Sequence, residues 1–271
     1  MKTRPPNAIG WDHPETAAAY RAFDRKHDRY RIANTELVAR AALGEGMRVL
    51  DLAAGLGGTA RAALERIGAS GRVVCFEPAA AMRESGRGLL DDRRAKWTGS
   101  WPRGAARFDR VLCGAAFWQF PKPEATLARI HLLLKPGGAF CFNIPSLYLG
   151  EPDEPGGGTD PMLYALPAAL ANEIPVRSAP ASHRLDAAEI ASMLAGAGFH
   201  PEEWRFRLRL TLDAYRDWLR IPPLTDHLFA GKSAAWRSRR IDSAYRTLDP
   251  DSWRRERWCG WTAWKSPAAG D

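Results

Sequence analysis

Apolar positions along the chain alternate between two periods, one helical and one that runs unbroken for five or six residues. Between residues 14 and 30, Tyr20, Phe23, His27 and Tyr30 recur at helical spacing, which predicts an amphipathic helix ahead of the first strand, laid over the sheet. A second helical stretch, 33–42, runs into Gly44 and Gly46, and the apolar run that follows from Met47 to Leu50 predicts the first strand. A glycine-rich turn, a helix over 59–67 and a strand over 72–76 ending at Glu77 then make a βαβ unit. The alternation returns as a strand over 108–115, a helix over 123–134 and a strand over 139–144. Buried strands alternating with helices imply an α/β fold, a doubly wound and mostly parallel sheet with right-handed crossovers and helices on both faces.

Two segments break the rhythm. Residues 146–184 contain Gly156, Gly157, Gly158 and several prolines, and predict an irregular insertion or lid. Asp186 and Glu189 then form a capping box for a helix carrying Ile190, Met193 and Leu194. Residues 211–255, with Tyr215, Trp218 and Leu219 on one helical face and a break at Pro222 and Pro223, predict a helical cap inserted before the last strand. That last strand is expected over 258–264, where large residues alternate with small ones, antiparallel beside 204–210. The whole is expected to be a single domain over 1–271: N-terminal helices over 1–43, a cofactor-binding core over 44–145, the insertion and the cap.

Composition narrows the class. The 271 residues are 45% hydrophobic, enough for one large core, and no run of eighteen uncharged apolar residues or leader-like segment occurs. Cys75, Cys113, Cys141 and Cys259 are far apart, so they predict buried reduced thiols in a cytoplasmic protein and no metal site. The net charge of +8 is concentrated late: residues 205–265 hold fourteen Arg or Lys against seven Asp or Glu. Such a basic stretch suits a solvated face, an anionic substrate or a nucleic acid.

The chemistry is concentrated after the first strand, where Val49, Leu50, Asp51, Leu52, Ala53, Ala54, Gly55, Leu56, Gly57, Gly58, Thr59 and Ala60 pass from strand through a small-residue turn into a helix. Small residues let a ligand touch the backbone, and Glu77 closes the second strand where a ribose would present its hydroxyls. Gly55, Gly57 and Ala60 also satisfy the dinucleotide fingerprint, so the glycines alone do not separate the two ligands. Asp51 favours the cationic one, because a carboxylate beside the turn repels a pyrophosphate and attracts an ammonium.

With those motifs in place, the chain resembles the class I S-adenosylmethionine-dependent methyltransferases, in particular the group that includes the ubiquinone and menaquinone biosynthesis enzymes. The likeness rests on the turn from Val49 to Gly58, on Phe76, Glu77 and Pro78, on the fourth-strand run from Phe108 to Trp118, and on Leu134, Lys135, Pro136, Gly137 and Gly138 before the fifth strand. It covers 14–145, 185–210 and the final strand, and implies a seven-stranded Rossmann-like sheet with an antiparallel last strand. It also implies that Asp51, Ala53, Gly55 and Gly57 line the methionine end of S-adenosyl-L-methionine, that Glu77 holds the ribose, and that Ala115 and Phe117 lie near the sulfonium. Ala53 replaces the usual first glycine. Where the family carries an acidic residue for the adenine amino group, this chain has Ser100, and either Ser100 or a backbone group would serve in its place.

Methyl transfer needs an acceptor held in line with the C–S bond and shielded from water, and a base only when the acceptor is a hydroxyl or an ammonium. His183 and His227 are the candidate bases. Seven of the eleven tryptophans lie from Trp204 onward, and Trp118 follows the fourth strand, which points to a small apolar or aromatic acceptor. The rival acceptor is RNA or DNA, bound by the basic C-terminal region; the fourth strand lacks the Pro-Pro-aromatic motif of many amino-directed nucleic-acid methyltransferases. A nicotinamide oxidoreductase and a non-catalytic binding module are further alternatives. Oligomeric state is left open by the sequence.

Overall fold

The computed structural model describes residues 10–151, 153–156, 185–225, 232–246 and 248–268. Its centre is one twisted sheet of seven long strands: β1 (Arg48–Leu52), β2 (Arg72–Phe76), β3 (Ala95–Thr98), β4 (Phe108–Gly114), β5 (Leu134–Pro145), β7 (Phe199–Thr211) and β8 (Trp253–Lys265), with a two-residue β6 (Glu154–Pro155). The order is β3-β2-β1-β4-β5-β8, with β7 on the outer edge of β8 and β6 continuing the β5 side of it. β1 to β5 pair parallel, while β8 runs antiparallel to both β5 and β7, so β7 points the same way as the first five. The predicted Rossmann-like sheet with a reversed last strand is therefore what forms.

Helices cover both faces. α1 (Pro14–Lys26), α2 (Arg29–Arg40), α3 (Gly58–Leu64), α4 (Ala80–Leu89), α5 (Pro123–Leu133) and α6 (Ala187–Gly196) precede the last two strands. α7 (Leu212–Trp218), α8 (Pro222–Thr225) and α9 (Ala234–Tyr245) lie between β7 and β8, forming the helical cap. Alternation along β1 assigns the layers: Val49 packs with Leu37, Val38, Ala60 and Leu64 of α2 and α3, while Leu50 and Leu52 pack with Leu127, Ile130, Ile190 and Leu194 of α5 and α6. α6 carries the predicted box, the Asp186 side chain accepting the Glu189 N–H at 2.8 Å and the Glu189 side chain accepting the Asp186 N–H at 2.9 Å.

The first helix differs from its prediction. Periodicity suggests one element to Tyr30, but the chain turns extended at His27 and restarts at Arg29. Tertiary contacts override the local pattern there, because Lys26 and His27 both bond Asp217 of α7, at 2.8 and 2.9 Å. The break lets the Phe23 and Tyr30 rings meet edge to face with centres 5.6 Å apart.

Thirteen residue pairs join β7 to β8, and Gly260 opposite Trp204 allows the indole to lie across the partner strand; a Cβ there would come within 2.3 Å of the ring. The arginines of this strand pair largely meet internal acids. Arg205 and Arg257 bond Glu151, and Arg207 and Arg255 bond Glu154, which ties the β6 segment down. All four cysteines are buried. No helix among the described residues is long and apolar enough to cross a membrane.

Candidate functional site

β1 delivers Asp51 to the foot of the turn. Its carboxylate is 1% exposed, faces α3 and accepts the Ala60 N–H at 3.0 Å. Burial pushes its carboxyl up to about 7, opposed by that N–H and assisted by the charge of Glu77. The turn itself holds three residues in the left-handed region, Ala53 (φ 59), Gly55 (φ 55) and Gly57 (φ 82). Gly57 is required twice over, since a Cβ at that position would also stand 3.0 Å from the Trp97 ring.

Glu77 closes β2 on the other side. One carboxylate oxygen accepts the Gly55 N–H at 2.8 Å and the other the Ala79 N–H at 2.9 Å, which fixes the group at the turn. Burial raises its pKa above the ordinary glutamate value, with those two N–H groups and Arg83 opposing. Four N–H groups of the region are thereby committed: Ala54 to Phe76 O, Gly55 to Glu77, Gly57 to Ala54 O and Ala60 to Asp51. A pyrophosphate would find those donors occupied and two carboxylates beside it.

A cavity of about 280 Å³ opens from this turn, walled by Ala53, Gly55, Glu77, Pro78, Ala79 and Met82 on one side and by Gly114 to Ala116 and Gln119 to Pro121 on the other. Its roof comes from the N-terminal helices and the cap, as Trp11, Tyr20, Tyr30 and Leu224. Tyr20 and Tyr30 stack with centres 5.2 Å apart, and the Trp11 indole donates to Gln119 Oε1 at 2.8 Å across the mouth. Ala115 is also left-handed (φ 53); Asn143 accepts its N–H at 2.9 Å, and its carbonyl accepts from Trp118 Nε1 at 3.1 Å. Asn143 in turn donates to Ala33 O, tying the end of β4 to α2.

This arrangement matches known proteins. The family described as "methyltransferase domain" fits residues 24–203. The chain belongs to the methyltransferase family. A ubiquinone/menaquinone biosynthesis C-methyltransferase from Bordetella parapertussis is 33% identical over 115 residues, 40% of this chain and 45% of the relative, so the chain spans about half the length of that relative. A trans-aconitate 2-methyltransferase from Variovorax paradoxus is 27% identical over 241 residues, 84% of this chain and 89% of the relative. Among solved structures, a phosphoethanolamine N-methyltransferase of Haemonchus contortus in complex with S-adenosyl-L-methionine shares the fold, with a TM-score of 0.51 and 17% identity over 86% of this chain and 52% of that one. By that family the chain is a methyltransferase.

The methyltransferase gathers some predicted site residues at the cavity and leaves others away from it. Ala53, Gly55, Glu77 and Ala115 line it. Asp51 and Gly57 lie in the layer beneath, shaping the turn. Phe117 turns away: it is 1% exposed and packs 4.6 Å from Phe142 in the core shared with α5. Trp118 stands behind Ala115, stacked on Tyr148 with ring centres 3.8 Å apart. Ser100 is exposed, its N–H donating to Thr98 Oγ1 at 3.1 Å, and does not line the cavity. His183 and His227 lie outside the described residues.

Several cavity residues escaped the sequence reading. Tyr20 and Tyr30 carried a helical-period signal but were read as sheet cover, while Trp11, Met82, Gln119 and Leu224 carried no signal of their own. Among the described residues, His27, Asp213 and Asp217 bring metal-ligand atom types together. Lys26 already bridges both aspartates, at 2.6 and 2.8 Å, and so supplies the charge a cation would bring.

Proposed function

We propose that this methyltransferase methylates a small, largely apolar or aromatic molecule. The carrying observation is the cavity wall: it runs from the cofactor turn into Trp11, Tyr20, Tyr30, Phe120 and Leu224, and among the described residues it contains no Lys, Arg or His. A nucleic-acid acceptor needs a cationic track. The arginines best placed to form one, on β7 and β8, are engaged with Glu151, Glu154 and Glu203.

S-adenosylmethionine fits the residues present. The left-handed backbone of Ala53 and Gly55 keeps side chains out of the bend, Glu77 presents a carboxylate to the cavity, and Pro78, Ala79 and Met82 offer an apolar wall. In this reading Ala53 and Gly55 seat the methionine end, Glu77 receives the ribose hydroxyls, and Pro78 to Met82 flank the adenine, a role in which Ser100 takes no direct part. Asp51 acts from below, its field favouring a positive charge at the turn. When bound, the cofactor supplies an electrophilic sulfonium methyl. The enzyme's own groups orient and dry the site: Asn143 and Trp118 hold Ala115 from both sides, and the aromatic roof excludes water. His183 and His227 remain the proposed bases for an acceptor that must lose a proton.

Calorimetry with S-adenosylmethionine, S-adenosylhomocysteine and NADH tests the cofactor assignment, with binding of both sulfur nucleosides and none of NADH expected. Transfer of labelled methyl to phenols, amines and quinone precursors, run beside an RNA and DNA shift assay over a salt series, tests the acceptor class. Tight nucleic-acid binding with no small-molecule transfer would overturn the reading.

A further inference from the structure

Building on the methyl-transfer reading, we propose that the segment ahead of α1 is a gate over the cofactor, closed by the hydrogen bond from the Trp11 indole to Gln119 and opened each time the cofactor or its product is exchanged. The two partners come from opposite walls. Trp11 lies in the turn that leads into α1 and packs with Leu56, Ala79 and Met82 on the side of the cofactor bend, and edge-on to Tyr20 with ring centres 6.0 Å apart. Gln119 ends the 3-10 turn after β4, on the side of Ala115. Both line the cavity, and the 2.8 Å bond between them crosses its mouth. A ligand seated from Ala53 and Gly55 toward Ala115 would lie beneath that bond.

The far side of the mouth is fixed. The Gln119 N–H donates to Ala116 O at 2.9 Å, and Phe117, 1% exposed, pins the same turn into the core. Tyr30 is fixed too, buried and with its hydroxyl accepting the Trp218 Nε1 proton at 3.0 Å. The Trp11 side is held more lightly: among the described residues this is the one hydrogen bond from residues 10–26 to residues 114–122. The other end of α1 is anchored elsewhere, by Lys26 to Asp217 at 2.8 Å. The backbone is extended at His27, so α1 is not continuous with α2, and its N-terminal end can lift while α2 stays docked. The turn itself is preformed, with Gly10 O accepting the His13 N–H at 3.1 Å and His13 Nδ1 accepting the Glu15 N–H at 3.3 Å, so indole and turn move as a unit.

The chemistry of the bond suits a gate. An indole N–H only donates, so Gln119 meets it with Oε1, and a substitution on either side that lacks the donor or the acceptor removes the whole interaction. A neutral hydrogen bond shifts an open–closed equilibrium by a factor of about five, which keeps the mouth mostly shut and still lets it open in every turnover.

The test is stopped-flow binding and release of S-adenosylhomocysteine by the full-length enzyme and by its Trp11→Phe, Gln119→Leu and double variants. A gate sets the speed of passage in both directions, so each single variant should raise the association and dissociation rate constants together, about fivefold, with Kd within about twofold of wild type. The double variant should go no further, because the same bond is lost in all three. Trp11→Phe keeps a ring against Tyr20, and Gln119 is exposed, so Tm should be nearly unchanged in both. Unchanged rates in both single variants overturn the proposal. So does faster release alone with Kd weakened in proportion, or a double variant whose effect is the product of the two singles, since either would make Trp11 and Gln119 separate wall contacts. Failure of the wild-type enzyme to bind S-adenosylhomocysteine overturns the methyl-transfer reading, and the gate with it.

Discussion

The Asp51 carboxylate accepts the Ala60 N–H at 3.0 Å from a position 1% exposed, so the residue that sets the charge of the turn does so from beneath it. Because burial raises its carboxyl to about 7, the folded protein keeps a proton that the unfolded chain releases near pH 4. This contribution is fully present below the unfolded pKa and is lost as pH rises through the folded value. Stability should therefore fall between pH 4 and 7 by about 1.4 kcal/mol per pH unit from this group. Asp51→Asn should flatten that slope in urea titrations run across the window.

The same proton should respond to the cofactor. A cation seated at the turn favours the ionised carboxylate, so binding of S-adenosylmethionine near pH 6 should release a proton, and affinity should rise with pH up to about 7. Calorimetry in two buffers of different ionisation enthalpy reads the release directly; no release would mean that Asp51 does not sense the ligand.

Glu77 accepts from Gly55 with one oxygen and from Ala79 with the other, a double role that an amide cannot reproduce because one of its two terminal atoms is a donor. Glu77→Gln should thus weaken cofactor binding by about 2 kcal/mol, roughly thirtyfold, while Glu77→Asp, too short to span both N–H groups, should weaken it comparably. An affinity within twofold of wild type in both variants would remove Glu77 from the ribose site.

Phe117 and Trp118 are adjacent in sequence yet should behave oppositely. Phe117 is sealed among Phe120, Phe140 and Phe142, so Phe117→Ala should cost about 3–5 kcal/mol of stability. Trp118→Phe keeps a ring on Tyr148 but loses the bond to the Ala115 carbonyl. Turnover should drop with S-adenosylhomocysteine affinity and Tm nearly unchanged, a split read from kinetics and melting curves on one protein preparation.

The contrast between those two residues marks what was legible in the sequence. The sheet followed from runs such as 72–76, whose register against β1 depends only on apolar continuity and the glycine breaks around it. The turn and Glu77 were legible because backbone freedom and a strand-end carboxylate leave local traces. The family resemblance implies a place near the sulfonium for Phe117, but a 3-10 turn over Phe117–Gln119 puts it in the core and brings Gln119 to the cavity. The roof was less legible: Tyr30 carries a helical period, but its place over the cavity depends on the docking of α2 on the sheet, where Asn143 donates to the Ala33 carbonyl 110 residues away in sequence.

Arg29 and Glu256 join α2 to the last strand as a bidentate pair, each side chain 5% exposed, with the guanidinium set among the rings of Tyr30, Trp218 and Trp258. Removing one partner leaves the other charge buried alone, so Glu256→Gln and Arg29→Met should each lose about 3–5 kcal/mol. The double variant Arg29→Met/Glu256→Met should recover most of that loss or exceed wild type, because two apolar chains avoid the cost of desolvating both ions. Urea denaturation of the four proteins closes the cycle.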